Sequence, residues 1–175
     1  MDRRKIELYA AGGDELVKAY LGLSNAHLHA KQPDGSWTLH QIAIHMLDSD
    51  LIGSDRMKRI ACMDIPLLCG YDETAFSNLP GSNQLNPFTA CNLFQKNRDM
   101  TATILHALPD AAFQRVGIHT ESGKVSLEEM IDKYIDHLRH HLLFIAKKRV
   151  KLEGRDSIPS VPPDVPPAEL QEFRT

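Results

Sequence analysis

Residues 127–151 read LEEMIDKYIDHLRHHLLFIAKKRVK. Apolar side chains recur in this stretch at three- and four-residue steps, through Met130, Ile131, Tyr134, Ile135, Leu138, Leu142, Ile145 and Ala146, which is the stripe of a helix packed against other helices. His137 and His141 are four residues apart, so a helix of about 3.6 residues per turn sets them one above the other on one face. That face lies at the edge of the apolar stripe and turns the pair inward. A buried imidazole pair must stay neutral and find hydrogen bonds, since each polar group left unsatisfied costs roughly 1–3 kcal/mol. One divalent cation satisfies both nitrogens together. His140 is the competitor, pointing about 60° away on the opposite flank by the same helical geometry.

Working outward, Ser126 and Glu129 have the spacing of a capping box that starts this helix. Before it, residues 113–127, FQRVGIHTESGKVSL, alternate around a Glu-Ser-Gly turn and predict a short β-hairpin. Asn86-Pro87 is a good helix start, and apolar spacing carries that helix to Leu108 before Pro109-Asp110 stops it. Thr38 and Gln41 form another capping box, opening a helix at Trp37-Thr38 that runs to about Cys62. His45 shares a side with Ile42 and Met46 and is the candidate third ligand. A first helix spans Arg3 to about Leu21, with a kink or short break predicted at Gly12-Gly13. A further helical turn is expected from Ser24 to Ala30, followed by a KQPDGS loop.

The segment from Met63 to Leu85 shows no sustained period and reads as one long connection. Four amphipathic helices with one long crossover indicate an all-α four-helix bundle, an architecture that builds metal sites from facing helices. Residues 1–153 form that domain, and 154–175 are a proline-rich tail.

The chain has 175 residues, nine histidines and a net charge of -3. Its most basic run, KKRVK, sits where cations offset a helix C-terminus, so nucleic acid is a poor default partner. No apolar run is long enough to suggest a membrane span. The three cysteines, Cys62, Cys69 and Cys91, form no C-x-x-C and cannot all pair. With no signal-peptide pattern at MDRRKIELYA, they point to a reducing cytoplasm and to roles as small buried hydrophobes. His27, His29, His40 and His106 read as surface residues. His119, in the hairpin, is a candidate catalytic or substrate-contacting residue, and Asp72 and Glu73 are candidate loop bases. The sequence contains no G-x-S-x-G, no phosphate loop and no H-E-x-x-H.

Several segments, in order, resemble the DinB/YfiT-like family of metal-dependent enzymes from Leu8 to Ile145: GLSNAHL, GSWTLHQIAIHMLDSD, GYDETAF, FQKNRDMTATILHAL and GIHTESGKVSLEEMIDKYIDHLRHHLLFI. The resemblance implies a four-helix bundle, often a homodimer, with His45, His137 and His141 as a metal triad. It implies zinc or nickel first, iron or manganese next. It further implies thiol transfer from a low-molecular-weight thiol onto a small electrophilic substrate, with hydrolysis by metal-activated water as the alternative. A non-catalytic protein whose metal staples the bundle is the rival from another class.

Overall fold

The computed structural model describes residues 1–32 and 35–153. The bundle helices are α1 (Arg4–Tyr20), α3 (Leu39–Cys62), α5 (Pro87–Ala107) and α6 (Leu127–Glu153), with a short α2 (Asn25–His29) between the first two. Each of α1 and α3 packs against both α5 and α6. The ring order is therefore α1, α5, α3, α6, and consecutive bundle helices are not always neighbours. The proline-rich tail lies outside the described residues.

The helix starts follow their capping chemistry. Thr38 Oγ1 accepts from the Gln41 N–H at 3.1 Å while Gln41 Oε1 accepts from the Thr38 N–H at 3.0 Å. Asn86 Oδ1 accepts from the N–H groups of Phe88 and Thr89. Ser126 and Glu129 exchange the same two bonds ahead of α6. Each arrangement satisfies N–H groups that the first helical turn leaves without partners.

The long connection has more structure than the sequence suggested. It holds a two-residue strand β1 (Leu67–Leu68), a short helix α4 (Glu73–Ser77) and a 3-10 turn at Ser82–Gln84. The expected hairpin forms as β2 (Val116–His119) and β3 (Gly123–Ser126). β1 adds to it in parallel, with Leu68 opposite His119. A two-residue strand leaves no periodic signal, since pairing with a distant hairpin creates it.

Three expectations need correction. α1 runs unbroken through Gly12 and Gly13. A Cβ on Gly12 would run into Leu138 and Arg98, and one on Gly13 would lie 2.9 Å from the Gln95 Cα. The glycines are there for close helix approach rather than for a break. Gly12→Ala should therefore destabilise the protein by about 1–2 kcal/mol in urea titrations, because overpacking outweighs the usual helix-propensity gain of about 1 kcal/mol. His40 is buried, with its Nε2 2.8 Å from the Leu85 carbonyl oxygen and its ring stacked on His29 at 4.6 Å. Of the cysteines, Cys91 is buried but Cys62 and Cys69 are exposed.

The core divides in two. One apolar cluster holds Ile6, Tyr9, Met57, Ile60, Phe113 and Met130, and the other Leu16, Tyr20, Ile42, Met46, Phe94 and Leu138. Between them runs a polar waist centred on Arg98, fully buried on α5. Its Nε donates to Asp50 Oδ1 on α3 at 2.8 Å, its Nη1 to the Tyr9 carbonyl on α1 and its Nη2 to the Tyr134 carbonyl on α6. The guanidinium also lies 4.4 Å from the ring centres of Tyr9 and Phe94. One side chain thus ties α5 to the other three bundle helices. Among the described residues no helix is long and apolar enough to cross a membrane.

Candidate metal centre

The candidate ligands lie beside the waist, where α3 packs on α6. His45, in the second turn of α3, is buried, and the half-buried His137 and His141 come from the middle of α6. The Nε2 atoms of His45 and His137 are 3.1 Å apart, as are those of His141 and His137. One ligand nitrogen from each of the three rings lies within 4.8 Å of the others. His140 lies outside this group and packs its ring on Phe144 at 4.7 Å. Trp37 tilts against His45 at 4.8 Å, and Ser49 Oγ lies 3.5 Å from His137 Nδ1.

Burial sets the protonation of the triad. Desolvation pulls His45 down to about 4 and His141 to about 3, the latter aided by the charges of His45 and His140. His137 is lowered well below the ordinary histidine range by burial first and by His141 and His45 next. Three neutral imidazoles with converging Nε2 atoms cannot satisfy one another, because one N–H serves one acceptor. Nitrogens held ~2.0–2.1 Å from a tetrahedral cation stand about 3.3 Å apart. The donor set and spacing fit a divalent cation.

Glu73, the first residue of α4, faces this group with Oε2 3.9 Å from His45 Nε2. Asp72 caps α4 by accepting from the Ala75 N–H at 2.8 Å, so Asp72 is committed to the turn while Glu73 points to the centre. Burial and the nearby Glu121 push the Glu73 carboxyl above its ordinary range. Sequence reading named Glu73 only as one loop acid among several, because its approach to His45 depends on how the crossover folds back.

Arg56 is a residue that sequence reading missed. It is buried on α3, donates Nη1 to Tyr134 Oη at 3.2 Å and Nη2 to the Cys69 carbonyl. A buried arginine on an amphipathic helix signals a polar site, but its spacing alone does not separate it from the solvated Arg59. His119 is buried at the end of β2, with Nδ1 accepting from the N–H groups of Glu121 at 3.3 Å and Ser122 at 3.4 Å. A separate cavity of about 570 Å³ opens beside the start of α3, lined by His29, His40, Gln41 and Ser77 among others. None of the triad lines it.

Comparison with known proteins agrees with this geometry. The chain is 28% identical over 134 residues to the Bacillus subtilis protein named "Putative metal-dependent hydrolase YfiT", covering 76% of this chain and 75% of that one. An Oceanobacillus iheyensis protein of the same description is 28% identical over 130 residues, covering 74% and 75%. The solved structure of Bacillus subtilis YfiT, a four-helix bundle of unusual topology, superposes with a TM-score of 0.80 at 25% identity over 86% of each chain. A Bacillus subtilis DinB-like protein shares the fold alone, at a TM-score of 0.59 and 16% identity. The DinB superfamily profile matches residues 8–145, a span that takes in the whole histidine triad and most of the bundle, and the chain belongs to that superfamily.

Proposed function

We propose that this protein is a metal-dependent hydrolase of small molecules, with the ion held by His45, His137 and His141 and Glu73 as proton acceptor. The observation that carries the reading is the convergence of three neutral Nε2 atoms beside the Glu73 carboxylate. An all-imidazole donor set suits zinc or nickel, with iron next. Bound there, the ion would supply Lewis acidity and make a coordinated water nucleophilic near neutral pH.

The chain's own groups do the rest. Ser49 holds the His137 ring from behind, and Trp37 limits His45 to one orientation. The Glu73 side chain is half exposed, so it can take a proton at the centre and release it to solvent. The names of the relatives speak for hydrolysis over the thiol transfer that the family resemblance put first. The exposed Leu93, Met100 and Ile104 on α5 offer an apolar strip of the kind a homodimer needs.

Elemental analysis of untagged protein tests the reading. About one equivalent of metal is expected in the wild type, as for a single mononuclear site, and none in His45→Ala or His137→Ala. Absence of metal from the wild type after reconstitution with zinc or nickel would overturn it.

A further inference from the structure

Two buried side chains beside the metal centre carry donors with no acceptor among the described residues. His119 spends its Nδ1 lone pair on two backbone N–H groups, so the ring proton must sit on Nε2. That Nε2 is buried and has no partner. Arg56 uses both Nη atoms on protein oxygens, yet its buried Nε–H, an obligate donor, also has none. The two residues are 3% and 6% exposed. A buried donor left without an acceptor is destabilising, so two of them in one place point to an acceptor that arrives with a ligand.

The fold brings them to the same side of the site. Arg56 reaches the carbonyl of Cys69, the residue after Leu68, and Leu68 is the strand partner of His119. The Arg56 and Lys133 charges both bear on His119, and both also act on Glu73. Lys133 is one helical turn before His137 on α6, so its ammonium and the triad share a flank. Two fixed donors and a lysine face two carboxylates, Glu73 and Glu121, which nearly balance the charge. Arg56 Nε–H and His119 Nε2–H are two unpartnered donors, the number that the two oxygens of one carboxylate take up.

We infer that the substrate carries a carboxylate, received by Arg56 Nε–H and His119 Nε2–H, with the Lys133 ammonium guarding the approach. The inference deepens the hydrolase reading and rests on it for the bond cleaved, which lies next to the anchored carboxylate. The anion site itself rests on the geometry of Arg56 and His119.

The test uses the full-length chain, with acetate as probe and acetamide as its neutral counterpart. Long-range histidine ¹H–¹⁵N spectra report the His119 tautomer and its response. The expected result is an Nε2–H tautomer whose signals shift saturably with acetate and not with acetamide, before and after chelation. Arg56→Met should weaken acetate by about tenfold or more, the effect of losing a charge-assisted bond. Lys133→Ala, an exposed position that keeps the test alive if Arg56→Met fails to fold, should weaken it about threefold. An Nδ1–H tautomer, no acetate-dependent shift at His119, or a Lys133→Ala protein that binds like the wild type would overturn the inference. Metal content of the unchelated wild type separates the two readings: no metal after reconstitution, with acetate binding intact, removes the hydrolase, and metal bound without an acetate response removes only the carboxylate site.

Discussion

Arg98→Met lowers the unfolding free energy by about 3–5 kcal/mol, the cost of leaving one member of a buried ion pair uncompensated. The pair is Arg98 Nε to Asp50 Oδ1, with both side chains essentially inaccessible to solvent. Burial pushes the Asp50 carboxyl up, while Arg98 and the Asn97 amide, 2.7 Å from Oδ2, pull it down. The net direction is upward, so desolvation exceeds the attraction and the pair is no large source of stability in itself. The loss on substitution comes from what remains: a buried carboxylate, and carbonyls of Tyr9 and Tyr134 that keep their helical bond but lose the second donor. A typical domain has about 5–15 kcal/mol in total, so this variant should unfold at much lower urea. Arg98→Met combined with Asp50→Leu should recover part of the loss, since the two positions share one interaction. Additive losses in that double variant would show that the pair is not the source.

Glu73→Gln should cut hydrolysis by roughly 10²–10⁴-fold, the range for removing a positioned proton acceptor. Metal content should stay at the wild-type level. Gln fills the same volume on α4 but cannot take a proton, and Asp72 keeps its cap on the Ala75 N–H in either protein. The check is kcat for any ester or amide the protein is found to hydrolyse, with elemental analysis alongside. Loss of metal together with rate would make Glu73 a ligand and the shell a closed four-residue one, the mark of a structural site. An unchanged rate would move the proton-accepting role elsewhere.

What the sequence disclosed and what it withheld divide along a physical line. Caps are local: Thr38 with Gln41, Asn86 with Pro87 and Ser126 with Glu129 speak to backbone groups within one turn, and each marks its helix start correctly. The His137 and His141 pair is legible for the same reason, being one turn of one helix. His45 could be placed on an inward face, and the fold supplies its distance to the other two. Long-range packing was not legible. Gly12 and Gly13 carry the composition of a helix break, and only the nearness of Leu138, Arg98 and Gln95 makes them contact points. His40 was expected at the surface because it stands early in its helix, and the returning crossover buries it under the Leu85 carbonyl. Arg56, Arg98 and Glu73 look like ordinary charged residues until the chain sets the Cys69 carbonyl, Asp50 and His45 before them.

The small sheet has a consequence for how a ligand gets in and out. The crossover bearing Cys69, Tyr71 and Glu73 is held to the hairpin by the Ile118 N–H on the Pro66 carbonyl, the Thr120 N–H on the Leu68 carbonyl and the Gly70 N–H on Thr120 Oγ1. At about 0.5–1.5 kcal/mol net for each bond, together with the Arg56 donation to the Cys69 carbonyl and the buried Leu68, releasing this latch still costs less than melting the bundle. A segment of this kind opens as its own unit. Traffic through the site and the durability of the scaffold are then separate quantities. Substitutions that harden the cluster of Leu16, Tyr20 and Phe94, which holds no residue of the crossover, should lengthen the life of the folded protein without slowing its turnover.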